Sequence, residues 1–159
     1  MAAGTVQLYD TAYETLFQDA TRQWDDSTSG SIYWVLATSS YTPSDAHTTT
    51  TDVTNKVGGD GAPIAATDLV ITDTPGTANE TYFQAGAGGT PGVVSFGTNV
   101  TITAQYLIAV QPTSAGSYSG TTDKLIFYVA IDTGGDVSST NGEFTINMPT
   151  SGWFKISQA

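Results

Sequence analysis

The sequence predicts an all-β fold, an antiparallel two-sheet sandwich of jelly-roll type with one short N-terminal helix. Most apolar residues lie in short segments flanked by Gly, Pro, Asn, Asp or Ser, which is the pattern of strands joined by turns. The chain also contains 28 threonines and 14 serines, and threonine favours strands. Only one stretch has helical spacing, which argues against alternating strands and helices.

The composition predicts one domain over residues 1–159. With 39% hydrophobic and 11% aromatic residues, the chain has enough apolar material to close a core. It has no cysteine, so packing or association must stabilise it. Within this domain we expect an N-terminal segment of residues 1–26, which contains the short helix, and a long polar loop at residues 39–66.

The single helix is predicted at residues 11–21. Thr11 and Glu14 have the spacing of a capping box at a helix start. Apolar residues then recur at helical spacing, and they are Tyr13, Leu16, Phe17 and Ala20. A turn rich in Asp, Ser and Gly at residues 25–30 ends this segment.

The first predicted strand is residues 32–37, with the sequence I-Y-W-V-L-A. Such a continuous apolar run is typical of a strand that is buried on both faces, so we expect it near the centre of a sheet. Residues 39–66 are polar and follow neither period, which is typical of an interaction loop or a partly ordered segment. Seven further strands are predicted, at residues 68–72, 81–84, 92–96, 100–110, 124–131, 143–148 and 153–156.

The segments at residues 100–110 and 124–131 are predicted to pair at the centre of the sandwich. In the first, the even-numbered residues are apolar, and towards its end the opposite face becomes apolar too. In the second, the residues after Lys124 are apolar at both the odd-numbered and the even-numbered positions. Both segments should therefore be covered on two sides, and the loop at residues 111–123 would join them as neighbours.

The charge of the chain limits its partners. Fifteen acidic residues against four basic ones give a formal net charge of −11 and a pI near 4.1. This sign opposes contact with a nucleic-acid backbone or an anionic membrane surface, and leaves open a partner with a basic face. No apolar run approaches the roughly 20 residues of a membrane-spanning helix, and the N-terminus lacks the pattern of a signal peptide. We predict no direct binding to nucleic acid or membranes.

The residue types that usually form active sites are scarce in this sequence. His47 is the single histidine, and Asp45 lies two residues before it, as in a base oriented by a carboxylate. A nucleophile elbow of the form G-x-S-x-G is missing, so a small hydrolase is a weak third hypothesis. Glycine turns with carboxylates at residues 59–61 and 132–136 lack the ligand pattern of a calcium loop. We predict no catalytic residue, no metal and no cofactor.

Several ordered motifs resemble a group of small virion proteins of tailed phages and prophages. One is W-V-L-A-T-S-S-Y-T-P at residues 34–43, followed by His47 and by T-D-V-T-N at residues 51–55. Further along the chain come L-I-F-Y-V and N-G-E-F-T-I, and S-G-W-F-K-I closes the series. These motifs span nearly the whole chain. The resemblance implies a structural protein of the virion, and it does not separate a capsid protein from a tail or neck component.

Resemblance and charge together predict a non-enzymatic cement, or decoration, protein on the outer surface of a phage capsid. Its partners would be the major capsid protein and copies of itself, as a trimer or dimer. Residues expected to contact these partners are Val6, Leu8, Tyr9, Phe17, Trp24 and Tyr41, of which Trp24 and Tyr41 are expected to be exposed. The alternative is a tail or neck structural component, or a carbohydrate- or receptor-binding module on the virion surface that uses Trp24, Tyr41 or other aromatic residues of the loops for stacking.

Overall fold

The structure, a computed structural model, describes residues 4–13, 32–59, 65–66, 69–73, 80–85, 93–114, 117–147 and 153–157. These residues form antiparallel strands, which confirms the predicted all-β class. The strands are β1 (Gln7–Leu8), β2 (Tyr33–Ala37), β3 (Ala65–Ala66), β4 (Leu69–Asp73), β5 (Glu80–Ala85), β6 (Val93–Ser95), β7 (Val100–Ala104), β8 (Tyr106–Gln111), β9 (Lys124–Ala130), β10 (Val137–Gly142), β11 (Thr145–Asn147) and β12 (Phe154–Ser157).

The largest sheet has five strands in the order β1-β9-β8-β2-β3. All five residues of β2 are buried, and β8 and β3 flank it, as expected for the run at residues 32–37. Strands β8 and β9 are paired neighbours, which confirms that prediction. Smaller antiparallel sheets have the orders β10-β7, β11-β6 and β12-β5-β4.

The main core, which we call the inner core, lies on one face of the five-stranded sheet. Trp34 and Leu36 from β2 meet Ile102 from β7 and Val94 from β6 there. Trp34 packs edge-on against Phe127 with the ring centres 5.6 Å apart. Because these side chains come from separate sheets, the described strands form the two layers of a sandwich.

The opposite face of the five-stranded sheet carries a second core, the outer core. Val35 of β2 and Ile108 of β8 belong to it, together with Tyr41 and Val53 from the long polar loop. Residues 39–59 of this loop thus include buried side chains that cover the sheet. The loop contains a 3-10 helix, Thr50–Asp52. The ammonium group of Lys56 donates hydrogen bonds to the carbonyls of Thr50 and Val53 and so fastens this turn.

The segment at residues 100–110 is two strands, so the prediction of one strand was wrong. The chain bends at Gln105 and passes from β7 in one layer to β8 in the other. The N–H of Gln105 donates to Ala37 O at 2.8 Å, and its carbonyl accepts from Ile131 N at 2.7 Å. These bonds hold the bend between the ends of β2 and β9.

The predicted faces of β9 are also corrected. Its register to β8 shifts, since Ala109 faces Phe127 whereas Val110 faces Leu125. Ile126 is therefore the extra residue of a β-bulge. As a result Leu125 lies in the outer core, while Ile126 and Phe127 both lie in the inner core.

The predicted N-terminal helix is described only at its start, where residues 10–13 are helical. The rest of residues 11–21 lies outside the described part of the chain. The helix includes Asp10, one residue before the predicted start. The hydroxyl of Thr11 donates to Leu125 O at 2.7 Å, so this residue links the helix to β9.

Candidate functional site

The structure describes four of the six residues predicted to contact partners. Val6 and Leu8 are half-buried against the inner core, and Phe17 and Trp24 lie outside the described residues. Tyr9 and Tyr41 are 0% and 1% exposed. The expectation that Tyr41 is exposed was wrong, because its ring packs in the outer core.

Tyr9 and Tyr41 meet in what we call the tyrosine cluster, formed by Tyr9, Tyr41, Tyr106, Tyr128 and His47. Tyr9 follows β1, and its N–H donates to Ile126 O at 3.0 Å. Tyr106 begins β8 and Tyr128 lies in β9, where the register pairs Tyr106 with Ala130 and Ile108 with Tyr128. The two tyrosines are thus diagonal neighbours on one face of the sheet.

The rings of the tyrosine cluster form a continuous contact network. The ring centres of Tyr9 and Tyr128 are 5.1 Å apart, and those of Tyr128 and Tyr106 are 6.4 Å apart. Tyr106 meets Tyr41 edge-on at 5.8 Å, and Tyr41 lies 5.7 Å from the ring of His47. Such edge-on and tilted pairs add stability beyond simple burial, so the cluster fastens the polar loop to β8, β9 and the N-terminal segment.

A chain of hydrogen bonds runs through the cluster. The hydroxyls of Tyr9 and Tyr41 are 2.9 Å apart, and the Tyr41 hydroxyl is 3.0 Å from His47 Nδ1. Within the described residues, the Tyr9 hydroxyl has no other hydrogen-bond partner. When Nδ1 of a neutral His47 accepts, Tyr9 can donate to Tyr41 and Tyr41 to His47, so both buried hydroxyl protons are bonded.

Burial keeps these hydroxyls protonated. It raises the pKa of Tyr41 to about 12, and it raises the pKa of Tyr9 further above its ordinary value. Neither residue forms a phenolate at neutral pH. The arrangement therefore favours hydrogen bonding and packing over nucleophilic chemistry.

Several carboxylates have clear structural roles. Asp123 is buried and accepts hydrogen bonds from the N–H groups of Ser119 and Gly120 at 2.9 Å each. The backbone N–H groups of Thr48 and Thr49 hold the pKa of the Asp52 carboxyl below its ordinary value. These acids stabilise turns, as carboxylates bonded to backbone N–H groups commonly do.

Two glycine turns with carboxylates were considered for calcium. In the turn at residues 132–136, the carboxylates accept hydrogen bonds from nearby protein groups. Asp132 Oδ1 accepts from Gly134 N at 3.0 Å, and Asp136 accepts from the N–H and hydroxyl of Ser39 at 2.7 and 2.8 Å. Asp60 lies outside the described residues. Across the part of the chain that the structure describes, no three His, Asp or Glu side chains gather as metal ligands. No helix there has the length and apolar character needed to span a membrane.

Two carboxylates at the edge of the tyrosine cluster differ from these structural acids. The N–H of Asp10 donates to the carbonyl of Asp45 at 2.9 Å, so the two residues adjoin. Both are exposed. Burial and then the charge of Asp45 raise the pKa of the Tyr128 hydroxyl, which indicates that this carboxylate lies near the ring. Tyr13, one helical turn after Asp10, is 53% exposed.

Comparison with known protein families, characterised proteins and solved structures found no match to this chain. The motifs from which a likeness to phage virion proteins was predicted fall on β2 and the polar loop, on β9, around β11 and on β12. Sequence reasoning missed Tyr106 and Tyr128 as members of the site, because strand alternation placed both among core residues. Their common face became evident only from the register of β8 and β9.

Proposed function

We propose that this chain is a non-enzymatic cement protein of a phage head. In this proposal it binds the outer surface of the major capsid protein shell, bridges neighbouring subunits and stabilises the head against internal pressure. It acts through many copies, assembled as trimers or dimers, so that weak contacts add up over the shell. The ordered motifs that resemble small phage virion proteins support this class of function.

The observation that carries the proposal is the charge of the chain. With 15 acidic and four basic residues, a subunit inside the shell would be repelled by packaged DNA. On the outer surface the same charge favours a basic or mixed face of the shell. Exposed carboxylates in the described part of the chain, such as Asp10, Asp45 and Glu143, are available for such contacts.

Repulsion between acidic copies does not prevent dense assembly. Two unit charges 10 Å apart in water repel by about 0.4 kcal/mol, and salt screens this further. Burial of one leucine or aromatic side chain contributes about 1.5–3 kcal/mol. A few apolar contacts therefore outweigh the repulsion. Tyr13, 53% exposed, is a side chain that can supply such a contact, and the half-buried Val6 and Leu8 can add to it.

The position and copy number of the protein in purified particles test this proposal. Quantitative mass spectrometry should find on the order of one copy per major capsid protein or per shell subunit cluster, as expected of a lattice-binding protein, and electron microscopy should place it outside the shell. Particles from a deletion strain should lose heat or chelator resistance and regain it when purified protein is added. A handful of copies at the tail, or unchanged resistance, would contradict the cement role.

The alternative is a tail or neck component, or a module that binds carbohydrate or a receptor on the virion surface. The exposed ring of Tyr13 beside acidic residues is a feature shared with sugar-stacking sites. Tyr41 does not support this alternative, since it is buried. A glycan array with the wild-type protein and with Tyr13→Ala tests the carbohydrate-binding module, because the cement role does not predict glycan binding that this substitution abolishes. A tail or neck component is distinguished instead by its position and low copy number in the particle.

A further inference from the structure

Strand β10 is irregular near its C-terminal end. Its register on β7 shifts between Ser139 and Gly142, so that residues 140 and 141 of β10 both face Thr101 of β7, as in a β-bulge. Asn141 is exposed and has a φ of 50°. Its N–H donates to the hydroxyl oxygen of Thr101 at 3.3 Å. An asparagine followed by a glycine therefore lies in this bulge, at the surface of the protein.

The conformation of the bulge accounts for both residue types. A positive φ is strained for most side chains, and asparagine is one of the few residues that tolerate it. A Cβ placed on Gly142 would lie 2.9 Å from the Oγ of Ser139, so a side chain at this position would displace the serine hydroxyl. The local structure thus favours the pair Asn141-Gly142.

An asparagine followed by a glycine can react within its own chain. The backbone nitrogen of the second residue attacks Cγ of the asparagine, and an intramolecular attack gains from proximity. A bond forms between that nitrogen and Cγ, and the side-chain nitrogen leaves as ammonia with the displaced proton. Water then opens the resulting succinimide ring at either carbonyl and yields aspartate or isoaspartate. A side chain on the attacking residue obstructs ring closure, and glycine has none.

We propose that Asn141 is a site of spontaneous deamidation in the folded protein. Its side chain is exposed to water, and Gly142 leaves the approach to Cγ open. The reaction places a new negative charge two residues before Glu143, and the isoaspartate form also lengthens the backbone of β10 by one methylene group. That extra group falls in the bulge and weakens the pairing of β10 with β7. The modification is independent of the proposed function, since it requires only the chain and water.

Other asparagines of the described residues provide internal comparisons. Asn55, Asn99 and Asn147 are also exposed, but each precedes a residue that has a side chain. Asn55 is a close match, because its φ of 57° is similar to that of Asn141. Its side-chain amide donates to the carbonyl of Ser40 at 3.3 Å, and the residue after it is a lysine. The two sites are alike in exposure and φ and differ in the residue that would attack.

The test is a timed incubation of the full chain in mildly alkaline buffer, followed by peptide mapping that separates asparagine, aspartate and isoaspartate. We expect Asn141 to deamidate about tenfold faster than Asn55 or more, which corresponds to about 1.4 kcal/mol in activation free energy. The rate should rise with pH, because the attacking nitrogen must lose its proton, and both products should appear. Equal rates at the two asparagines, or aspartate as the sole product, would overturn the proposal.

A pair of variants tests the role of the glycine. Gly142 lies outside the left-handed region, so its backbone accepts alanine, and Ser139→Ala removes the hydroxyl that the new Cβ would contact. The double variant Ser139→Ala/Gly142→Ala should deamidate at Asn141 about tenfold more slowly than the wild type. Ser139→Ala alone is the control and should react as the wild type does. An unchanged rate in the double variant would show that the glycine is not the reason for the reactivity.

The expected effect on β10 is tested separately from the charge. Asn141→Asp carries the charge of the product without the longer backbone, so it should unfold at nearly the same urea concentration as the wild type. The purified isoaspartate form should unfold at a lower concentration, because its extra methylene group disturbs the pairing with β7. Equal unfolding midpoints for these two proteins would contradict the effect assigned to the bulge.

Discussion

Among the residues that the structure describes, the hydroxyl of Tyr9 has a single hydrogen-bond partner. It is buried and bonds to the Tyr41 hydroxyl, which in turn reaches His47. Tyr41→Phe removes the acceptor and leaves a buried O–H unpaired, which costs about 1–3 kcal/mol. Tyr9→Phe leaves Tyr41 free to bond His47 and should cost less.

These considerations predict an unusual order of stabilities. The double variant Tyr9→Phe/Tyr41→Phe should be more stable than Tyr41→Phe alone, because it no longer contains an unpaired buried hydroxyl. Urea unfolding followed by circular dichroism measures the free energies of the four proteins. Additive losses in the double variant would contradict the directional chain of hydrogen bonds.

The same hydroxyls predict sensitivity to alkaline pH. In the folded protein the pKa of Tyr41 is raised from 10.0 to about 12, and that of Tyr9 is raised as well. The unfolded chain therefore loses these protons first, so the contribution of the two tyrosines to the free energy of unfolding is constant below about pH 10 and falls as the pH rises above it. The decline between pH 10 and 12 should be smaller in Tyr9→Phe/Tyr41→Phe. Tyr13→Phe, which removes an exposed hydroxyl, is the control and should decline as the wild type does.

At the scale of elements, the loop before β9 is organised by one buried carboxylate. Asp123 accepts N–H groups from Thr113, Ser119 and Gly120, and its carbonyl accepts from Thr50 N. It thus joins the β8–β9 connection to the 3-10 helix of the polar loop.

Asp123→Asn should destabilise the protein markedly. The amide group would turn an N–H towards backbone N–H groups, and hydrogen bonds to a charged acceptor contribute about 1.5–3 kcal/mol each. We expect a loss of at least about 2 kcal/mol in the free energy of unfolding. Asp136→Asn, at an exposed position, is the comparison and should cost under about 1 kcal/mol. Similar losses for the two would contradict the role assigned to Asp123.

The comparison of sequence and structure is most informative at this scale. Strands rich in β-branched and aromatic residues, such as β2 and β9, were predicted because a loop does not need such a continuous run of apolar residues. Strand β10, V-S-S-T-N-G, was missed because it is polar and is defined by pairing with β7. The bend at Gln105 was missed because apolar alternation continues through it. Pairing and bends depend on partners distant in sequence, which local patterns do not contain.

The tyrosine cluster was predictable only in part. Tyr9 and Tyr41 were both selected from the sequence, but as separate partner contacts. Their hydroxyls are 32 residues apart along the chain and meet at 2.9 Å. Such a contact follows from the docking of the N-terminal segment on β9, and no spacing rule in the sequence reports it.

At the scale of the whole molecule, the inner and outer cores share the strands β2, β8 and β9. Trp34 and Val35 are consecutive in β2 and enter opposite cores. Loss of either side chain removes buried contacts from the same strand, so the two cores should unfold together.

A pair of truncations tests this coupling. Trp34→Ala should lower the free energy of unfolding by about 3–5 kcal/mol, and Val35→Ala by about 1–3 kcal/mol. Tryptophan fluorescence, which reports on the inner core through Trp153 in both variants, and tyrosine absorbance, which reports on the outer core, should give coincident transitions in both variants. Separate midpoints would show that the two cores are independent units.

The β-bulge at Ile126 determines how β9 responds to the deletion of one residue. A one-residue deletion within a strand normally inverts every side chain beyond it. Removal of Ile126 would instead leave Leu125 and Phe127 on the opposite faces that they already occupy, at the expense of one buried side chain. Deletion of Ile126 therefore keeps the remaining side chains of β9 on their present faces of the sheet. Deletion of Tyr128 would instead move the side chains beyond it to the opposite faces.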